Sequence, residues 1–536
     1  MSLLRLNRLH YCILMSMGCI SGPLVWAEDL NSDVAKLPTL HVEATRTDTG
    51  YLQTPASVFR IEAPQVDSSS QVNLTEVVKG IPSLQIRNRE NYAQDLQLSM
   101  RGFGARSTFG VRGIRLYVDG IPATMPDGQG QTSNIDLSSL DHVEVLTGPF
   151  SSLYGNSSGG TILTSTKEGQ GKDSIELSYS GGSHDKSRAG LVLQGGAKGA
   201  NEPSYIISSS YFDTDGYREH SGAEKVLNNA KLSWNLDDGS KINWVTNYVK
   251  IHADDPQGLT HDQWNANPKQ QVPFLKQFNV RKDIEQTQTG VTWSKPINDK
   301  NELYAMAYLG NRQVTQYQSI PKSTQDASIN HAGGVIDFER NYYGADFRWT
   351  GKELLPNTTL SVGVALDAMD EDRNADKTLR EGIEFAWNKK LWRDLTATAS
   401  YSYLDATFDA DIPALGNIAQ ISSGNAIPGI AKNQAYASLA WQPSHGLYGG
   451  VDVQYMDKVY VNDTNSDAAP SYSVTSANVG YAWVMGDWKV NSFARVDNLF
   501  DKKYAGSVIV NDGNSRYFEP ADGRNWSAGL RVIKQF

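Results

Sequence analysis

Cysteine is almost missing from this chain: Cys12 and Cys19 are the only two in 536 residues. Neither a disulfide framework nor a multi-thiolate metal site can be built beyond them. Basic charge is also short, with 49 Lys and Arg against 59 Asp and Glu. A net charge of -10 argues against a nucleic-acid partner, because phosphate binding needs a basic footprint. Long apolar runs are lacking as well. Past residue 30 nothing approaches the roughly 20 apolar residues that a membrane helix requires. What is present is glycine (47), tyrosine (25) and tryptophan (12) in a chain that is 39% hydrophobic and 20% charged. That balance excludes collagen-like and disordered classes. It suits a β-rich soluble protein or a membrane β-barrel, whose strands look only half apolar.

The first segment points to export. Arg5 and Arg8 precede an apolar stretch, Tyr11 to Trp26, and Val25-Trp26-Ala27 has the small-x-Ala form of a cleavage site. Residues 1–27 therefore read as a signal peptide, and both cysteines fall inside it. Losing Arg5 and Arg8 would take the charge from -10 to -12.

Residues 28–50 read as a polar tether carrying one short extended patch, Leu37 to Ala44. Residues 51–168 change character. Leu74-Thr75-Glu76-Val77-Val78 predicts an amphipathic helical stretch ended by Gly80-Ile81-Pro82. Short β segments are predicted at Leu96–Met100, Ile114–Val118 and Val143–Leu146, with a hairpin turn at Asp119-Gly120. From about residue 170 the period is 2 nearly everywhere. Leu395–Tyr403 sets Leu, Ala, Ala, Tyr, Tyr against Thr, Thr, Ser, Ser. Leu447–Tyr455 and Trp488–Val496 behave likewise. Strands of about ten residues with one apolar face fit a barrel wall facing lipid, whereas a soluble sandwich uses shorter strands. Short turns such as Met485-Gly486-Asp487 alternate with long connections, 253–282 and 409–431, as turns and loops on opposite sides of a membrane would. Lys534 falls on the apolar phase of the last strand, Trp526–Phe536, and is tolerable there only if it snorkels to the interface.

Several stretches together resemble a TonB-dependent outer-membrane receptor. They are Leu74–Leu84, Arg101-Gly102-Phe103, Leu116-Tyr117-Val118-Asp119-Gly120-Ile121-Pro122, Val143–Pro149, Leu153–Gly160 and Val496–Tyr504. Leu40, His41, Val42, Glu43 and Ala44 resemble the TonB box, an extended segment that lends its backbone to a partner by β-augmentation. The resemblance implies an N-terminal α+β plug over 51–168 inside an all-β transmembrane antiparallel barrel over 169–536, located in the bacterial outer membrane. It implies active uptake of a scarce ligand, foremost a ferric siderophore complex, with copper or cobalamin left open. TonB, outer-membrane lipid and the barrel-assembly machinery, through the terminal Phe536, would be its partners. No enzymatic activity and no cofactor are implied.

Two features depart from the family pattern. Thr147 stands where the family has an arginine in a network tying plug to barrel; Arg101 and Glu144 are the remaining plug–barrel contacts that the resemblance implies. The barrel is also short, with about 16 strands countable after residue 170 against the family's 22. The shortfall falls near 369–377. Since diameter grows roughly linearly with strand number, a closed 16-strand wall would hold such a plug poorly. The competing reading is a shortened barrel that is transport-defective, passive or structural.

The plug and loop positions that resemble ligand-capturing ones are Arg101, Phe103, Arg106, Arg112, Met125, Asp127 and Gln129, with Trp264 and Lys269 from the long connection. Arginines among aromatics suit an anionic chelate. Other motifs are weaker. Gly155-Asn156-Ser157-Ser158-Gly159 has the nucleophile-elbow pattern without a strand, helix or histidine around it. Asp370, Asp372 and Asn374 begin a calcium-loop pattern, but Ala375 replaces its glycine. The histidines show no paired spacing, so no metal set is read from them.

Overall fold

The period-2 alternation becomes one antiparallel sheet of sixteen strands. The computed structural model describes residues 57–63, 71–107, 109–148, 154, 157–199, 201–272, 274–326, 334–355, 358–369, 379–392, 394–408, 411 and 420–536, with the short pairs 41–42 and 49–50. The leader, Leu40, Glu43 and Ala44, Gly155 and Asn156, and most of 369–377 lie outside these residues.

Seven strands build the plug: β1 (Ser57–Glu62), β2 (Leu84–Arg87), β3 (Gln97–Met100), β4 (Ile114–Val118), β5 (Ile121–Pro122), β6 (Leu140–Thr147) and β7 (Gly160–Thr166). Five form a sheet in the order β1-β6-β7-β4-β5, with β4 and β7 parallel, while β2 pairs with β3. The turn between β4 and β5 puts both Asp119 and Gly120 at positive φ (50° and 81°), as an Asp-Gly hairpin requires. Leu74, Val78, Leu84, Leu98, Ile114 and Val145 bury the plug's core. The helical expectation at 74–78 is corrected to one 3-10 turn, Leu74–Glu76. Asn73 and Glu76 cap it reciprocally, and the Gly80-Ile81-Pro82 stop comes too soon for a second turn.

The wall follows. Its first half is β8 (Ser174–Gly182), β9 (Ser187–Gly195), β10 (Ser204–Thr214), β11 (Ala223–Asn235), β12 (Lys241–Asp254), β13 (Arg281–Asn298), β14 (Asn301–Tyr317), β15 (Val335–Leu355) and β16 (Thr358–Ala368). Its second half is β17 (Leu379–Trp392), β18 (Leu395–Thr407), β19 (Asn433–Trp441), β20 (Gly446–Met456), β21 (Tyr472–Met485), β22 (Trp488–Asp497) and β23 (Asn525–Gln535). Neighbours pair in chain order from β8 to β16 and from β17 to β23, and β8 pairs with β23. Among the described residues β16 and β17 pair with no one else, so the sheet has two edges there. Among the described residues the sixteen strands thus form an open series around the plug.

Along β10 the outward Ile207 and Tyr211 are exposed, while the inward Ile206, Ser208 and Phe212 are buried. The same alternation recurs around the wall. Connections such as 236–240 and 442–445 define a short-turn end, and 255–280, 408–432 and 498–524 a long-loop end. Lys534 lies at the short-turn end, its Nζ 4.9 Å from the Trp488 ring and 5.0 Å from that of Phe536.

Candidate functional site

Polar residues on the inward faces hold the plug. Ser208 donates to Asp136 Oδ2 (2.6 Å), Asn247 to the Asn134 carbonyl (2.9 Å) and Gln288 to the Pro122 carbonyl (2.8 Å). Lys231 Nζ meets Asp119 Oδ1 at 2.8 Å, and Gln434 reaches the Leu84 carbonyl at 3.2 Å. On the flank beside the open edge, Arg115 pairs with Asp367 of β16 at 2.5 Å.

At the long-loop end the plug meets the loops through charge. Arg89 grips Glu519 through Nε and Nη2 (3.1 and 2.9 Å), both side chains almost wholly buried. Asn91 and Gln94 each donate to Asp255 at 2.8 Å. Lys186 Nζ lies 3.3 Å from Glu90 and 3.2 Å from Asp522. Burial pushes both carboxyls above their ordinary range, with Asp522 adding repulsion at Glu90 and Asp497 at Asp522, although Lys186 pulls the other way. Deeper in the plug, Asp136 is lowered: burial opposes its charge, but hydrogen bonds from Ser138, Ser139 and Ser208 outweigh it.

The sequence-derived ligand residues divide. Arg106 and Arg112 stand on outward plug loops with side chains 39% and 45% exposed. Arg106 Nη2 bonds Asp463 Oδ2 at 2.8 Å, and its guanidinium lies 5.8 Å from the Phe408 ring. Arg112 reaches Asp127, whose Oδ2 is 3.7 Å from Arg112 Nη2 and 3.8 Å from Arg340 Nη1. Gln129 donates its backbone N–H to Asp127 Oδ1 (2.9 Å), closing the turn that presents the carboxylate. In both pairs the arginine is the exposed partner, while Asp463 and Asp127 are 14% and 17% exposed. Phe109, 57% exposed, adds an apolar surface beside them in sequence.

Met125 and Trp264 are corrected, because neither faces solvent. Met125 packs with Ile121, Val245, Met306, Tyr308 and Tyr342 between plug and wall. Trp264 stacks on Phe518 (5.3 Å, 12°) inside the loop core. Lys269 is exposed, with Nζ 5.3 Å from the Tyr217 ring. Arg101, at φ 48°, donates its N–H to the Ser83 carbonyl, and Phe103 bridges back to Met100; both are half-buried. Thr147 donates to the Ser57 carbonyl (3.4 Å) and Glu144 accepts from Arg60 (3.0 Å), so these contacts stay within the plug sheet. His41 and Val42 pair with Gly50 and Thr49 in a two-residue ladder. Sequence reasoning missed Arg340 and Asp463, which sit on a strand and a loop without any motif.

Residues 52–161 match the TonB-dependent Receptor Plug Domain, and residues 354–499 match the TonB dependent receptor-like β-barrel. The metal-pseudopaline receptor CntO of Pseudomonas aeruginosa is 28% identical over 345 residues, covering 62% of this chain and 47% of that one. The ferric aerobactin receptor of Klebsiella pneumoniae is 25% identical over 251 residues, covering 41% and 32%. The chain thus spans about half the length, or less, of these curated relatives. The siderophore receptor PiuA of Acinetobacter baumannii shares the fold, with TM-score 0.67 at 12% identity, over 90% of this chain and 97% of that one.

Proposed function

We propose, from this chain's place in the TonB-dependent receptor family of the bacterial outer membrane, that it takes up a scarce metal chelate by TonB-energised transport, foremost a ferric siderophore. What carries this reading is the pair of exposed plug arginines, Arg106 and Arg112, each paired with a carboxylate at the long-loop end. An anionic chelate arriving there exchanges Asp463 and Asp127 for its own oxygens, and guanidinium forks suit that geometry. The curated relatives support the substrate class through the metal and ferric ligands in their names. No bond in the ligand is made or broken, so no catalytic residue is assigned.

Energy would enter at the other end. The segment Leu40–Ala44 offers TonB an extended backbone, and its pull remodels the plug. The exposed aliphatic side chains on the outward faces would meet lipid.

Val42→Pro removes a backbone donor from the box without touching the outward loops. Energised uptake under iron limitation, assayed with a panel of ferric chelates, is expected to vanish while chelate binding is retained. Unchanged uptake refutes the assignment of the box. Binding without uptake by the unmutated protein would overturn the transport reading.

A further inference from the structure

At the short-turn end, β1 is the edge strand of the plug sheet and β6 is its neighbour. Their register sets Glu62 opposite His142 and Arg60 opposite Glu144. Side chains alternate across a strand, so these four share one face. Asp141 joins them at the irregularity between Leu140 and His142. One ligand atom each from Glu62, Asp141 and His142 then lie within 4.8 Å of one another.

Carboxylates alone would be an ordinary solvated cluster. The imidazole is the second, separate observation. His142 is 7% exposed, with Nδ1 2.7 Å from Asp141 Oδ2. Its Nε2 is buried without a hydrogen-bond partner and faces Glu144 Oε1 at 3.9 Å. Asp141 sits at Nδ1, so Nδ1 is the nitrogen that an ion shared with Asp141 would take, and Nε2–H is left facing Glu144, in the place of the outer carboxylate that orients a metal-bound histidine.

We infer that Glu62, Asp141 and His142 form a binding site for a divalent transition-metal ion of the zinc class. The donor set is one imidazole with carboxylates, which suits zinc and its neighbours better than the all-oxygen sites of calcium or magnesium. Three carboxylates, Glu62, Asp141 and Glu144, face two cations, Arg60 and Lys167, so negative charge is in excess. Arg60 Nε occupies Oε1 of Glu62 at 2.6 Å and leaves Oε2 to turn inward. Tetrahedral zinc spaces its ligand atoms about 3.4 Å apart, so the set must contract. It is free to do so, because the Glu62 and Asp141 side chains are 58% and 48% exposed. A cleft of about 260 Å³, lined in part by Asp141, His142 and Glu168, gives the ion a way in.

Such an ion would staple the edge strand to β6. β1 is also the first plug strand after the tether, so under the proposed uptake mechanism the staple would resist the pull; metal binding itself does not depend on that mechanism.

The test is Zn2+ titration of tag-free, full-length protein in detergent, with Co2+ absorption as the coordination probe. One Zn2+ per chain is expected to bind with an affinity that His142→Gln lowers about tenfold or more. Glu62→Gln, at an exposed position where folding is not at risk, is expected to weaken binding about tenfold. Zn2+ should also slow amide exchange across 57–62 in the parent and not in either variant. Identical titrations for the parent and both variants overturn the site, as does a parent that binds no Zn2+.

Discussion

Two junctions of the wall differ. Where the chain's first and last strands meet, β8 and β23 pair over nine residues, from Ser174↔Gln535 to Gly182↔Ser527. In mid-chain, β16 and β17 follow one another in sequence and do not pair among the described residues. Face exposure follows the same division. On β13, the inward Ile284, Gln286, Gln288, Gly290 and Thr292 are buried against the plug, and the outward Val291 is exposed. On β16 the outward Leu360, Val362, Val364 and Leu366 are exposed, and the inward Gly363 and Ala365 are exposed as well. Each strand therefore has the same apolar-polar pattern whether or not a neighbour completes it. Alternation decides which side meets lipid, while closure depends on strand number and perimeter. An unpaired edge within a bilayer costs several kcal/mol per unsatisfied backbone group, so the mid-chain edges are the weak line of this wall.

The largest effect should come from proline. Leu530 sits on β23 with partners on both sides, Tyr179 and Ser492. Leu530→Pro removes a ladder donor from an interior strand, a loss of about 3 kcal/mol or more, and is expected to abolish folded, heat-modifiable protein in the outer membrane. On β16 successive N–H groups point alternately to β15 and to the free edge. At least one of Val364→Pro and Ala365→Pro should therefore leave the folded fraction unchanged. Equal damage from all three would mean that β16 is an interior strand.

Crosslinking sharpens the contrast with a smaller perturbation. With Cys12 and Cys19, the two cysteines of the sequence, replaced by serine, the background is free of thiols. Tyr179→Cys with Leu530→Cys, in register across β8 and β23, should oxidise readily. Val364→Cys with Ile383→Cys would be in register only if β16 and β17 closed as a hairpin, and this pair should stay reduced. Comparable oxidation in both would show that the wall closes with sixteen strands.

How much of this was legible in the sequence depends on the range of the interaction. Strand faces were readable because neighbours two residues apart encode them, and β18, β20 and β22 contain the alternating stretches at 395–403, 447–455 and 488–496. The Asp119-Gly120 turn was readable because few residues tolerate two successive positive φ angles. The strand count was readable from the alternating stretches after residue 170. The partners were not. Arg89 and Glu519 are 430 positions apart, and Arg106 and Asp463 are 357 apart. Met125 and Trp264 looked ligand-facing because loops usually face solvent, but Met125 packs between plug and wall and Trp264 inside a core built by the loops themselves. His142 showed no paired spacing because its neighbour Glu62 is supplied by strand register alone.

The smallest expected effect compares two buried carboxyls, Glu90 and Asp136, both held where the wall is paired. Glu90 titrates above its ordinary value of 4.5 because burial and Asp522 disfavour its charge. Its contribution to stability is full below 4.5 and lost as pH rises through the raised value. Asp136 titrates below its ordinary 3.8; burial opposes that, but three serine hydroxyls prevail. Its contribution is full above 3.8 and lost as pH falls through the lowered value. Acidifying from neutral pH toward 4.5 should therefore slow amide exchange at 88–94 and leave 136–139 unchanged. Below 3.8, exchange at 136–139 should accelerate. Site-resolved exchange at three pH values checks this. If both segments loosen together on mild acidification, the plug is not held by two oppositely shifted anchors but responds to acid as one body.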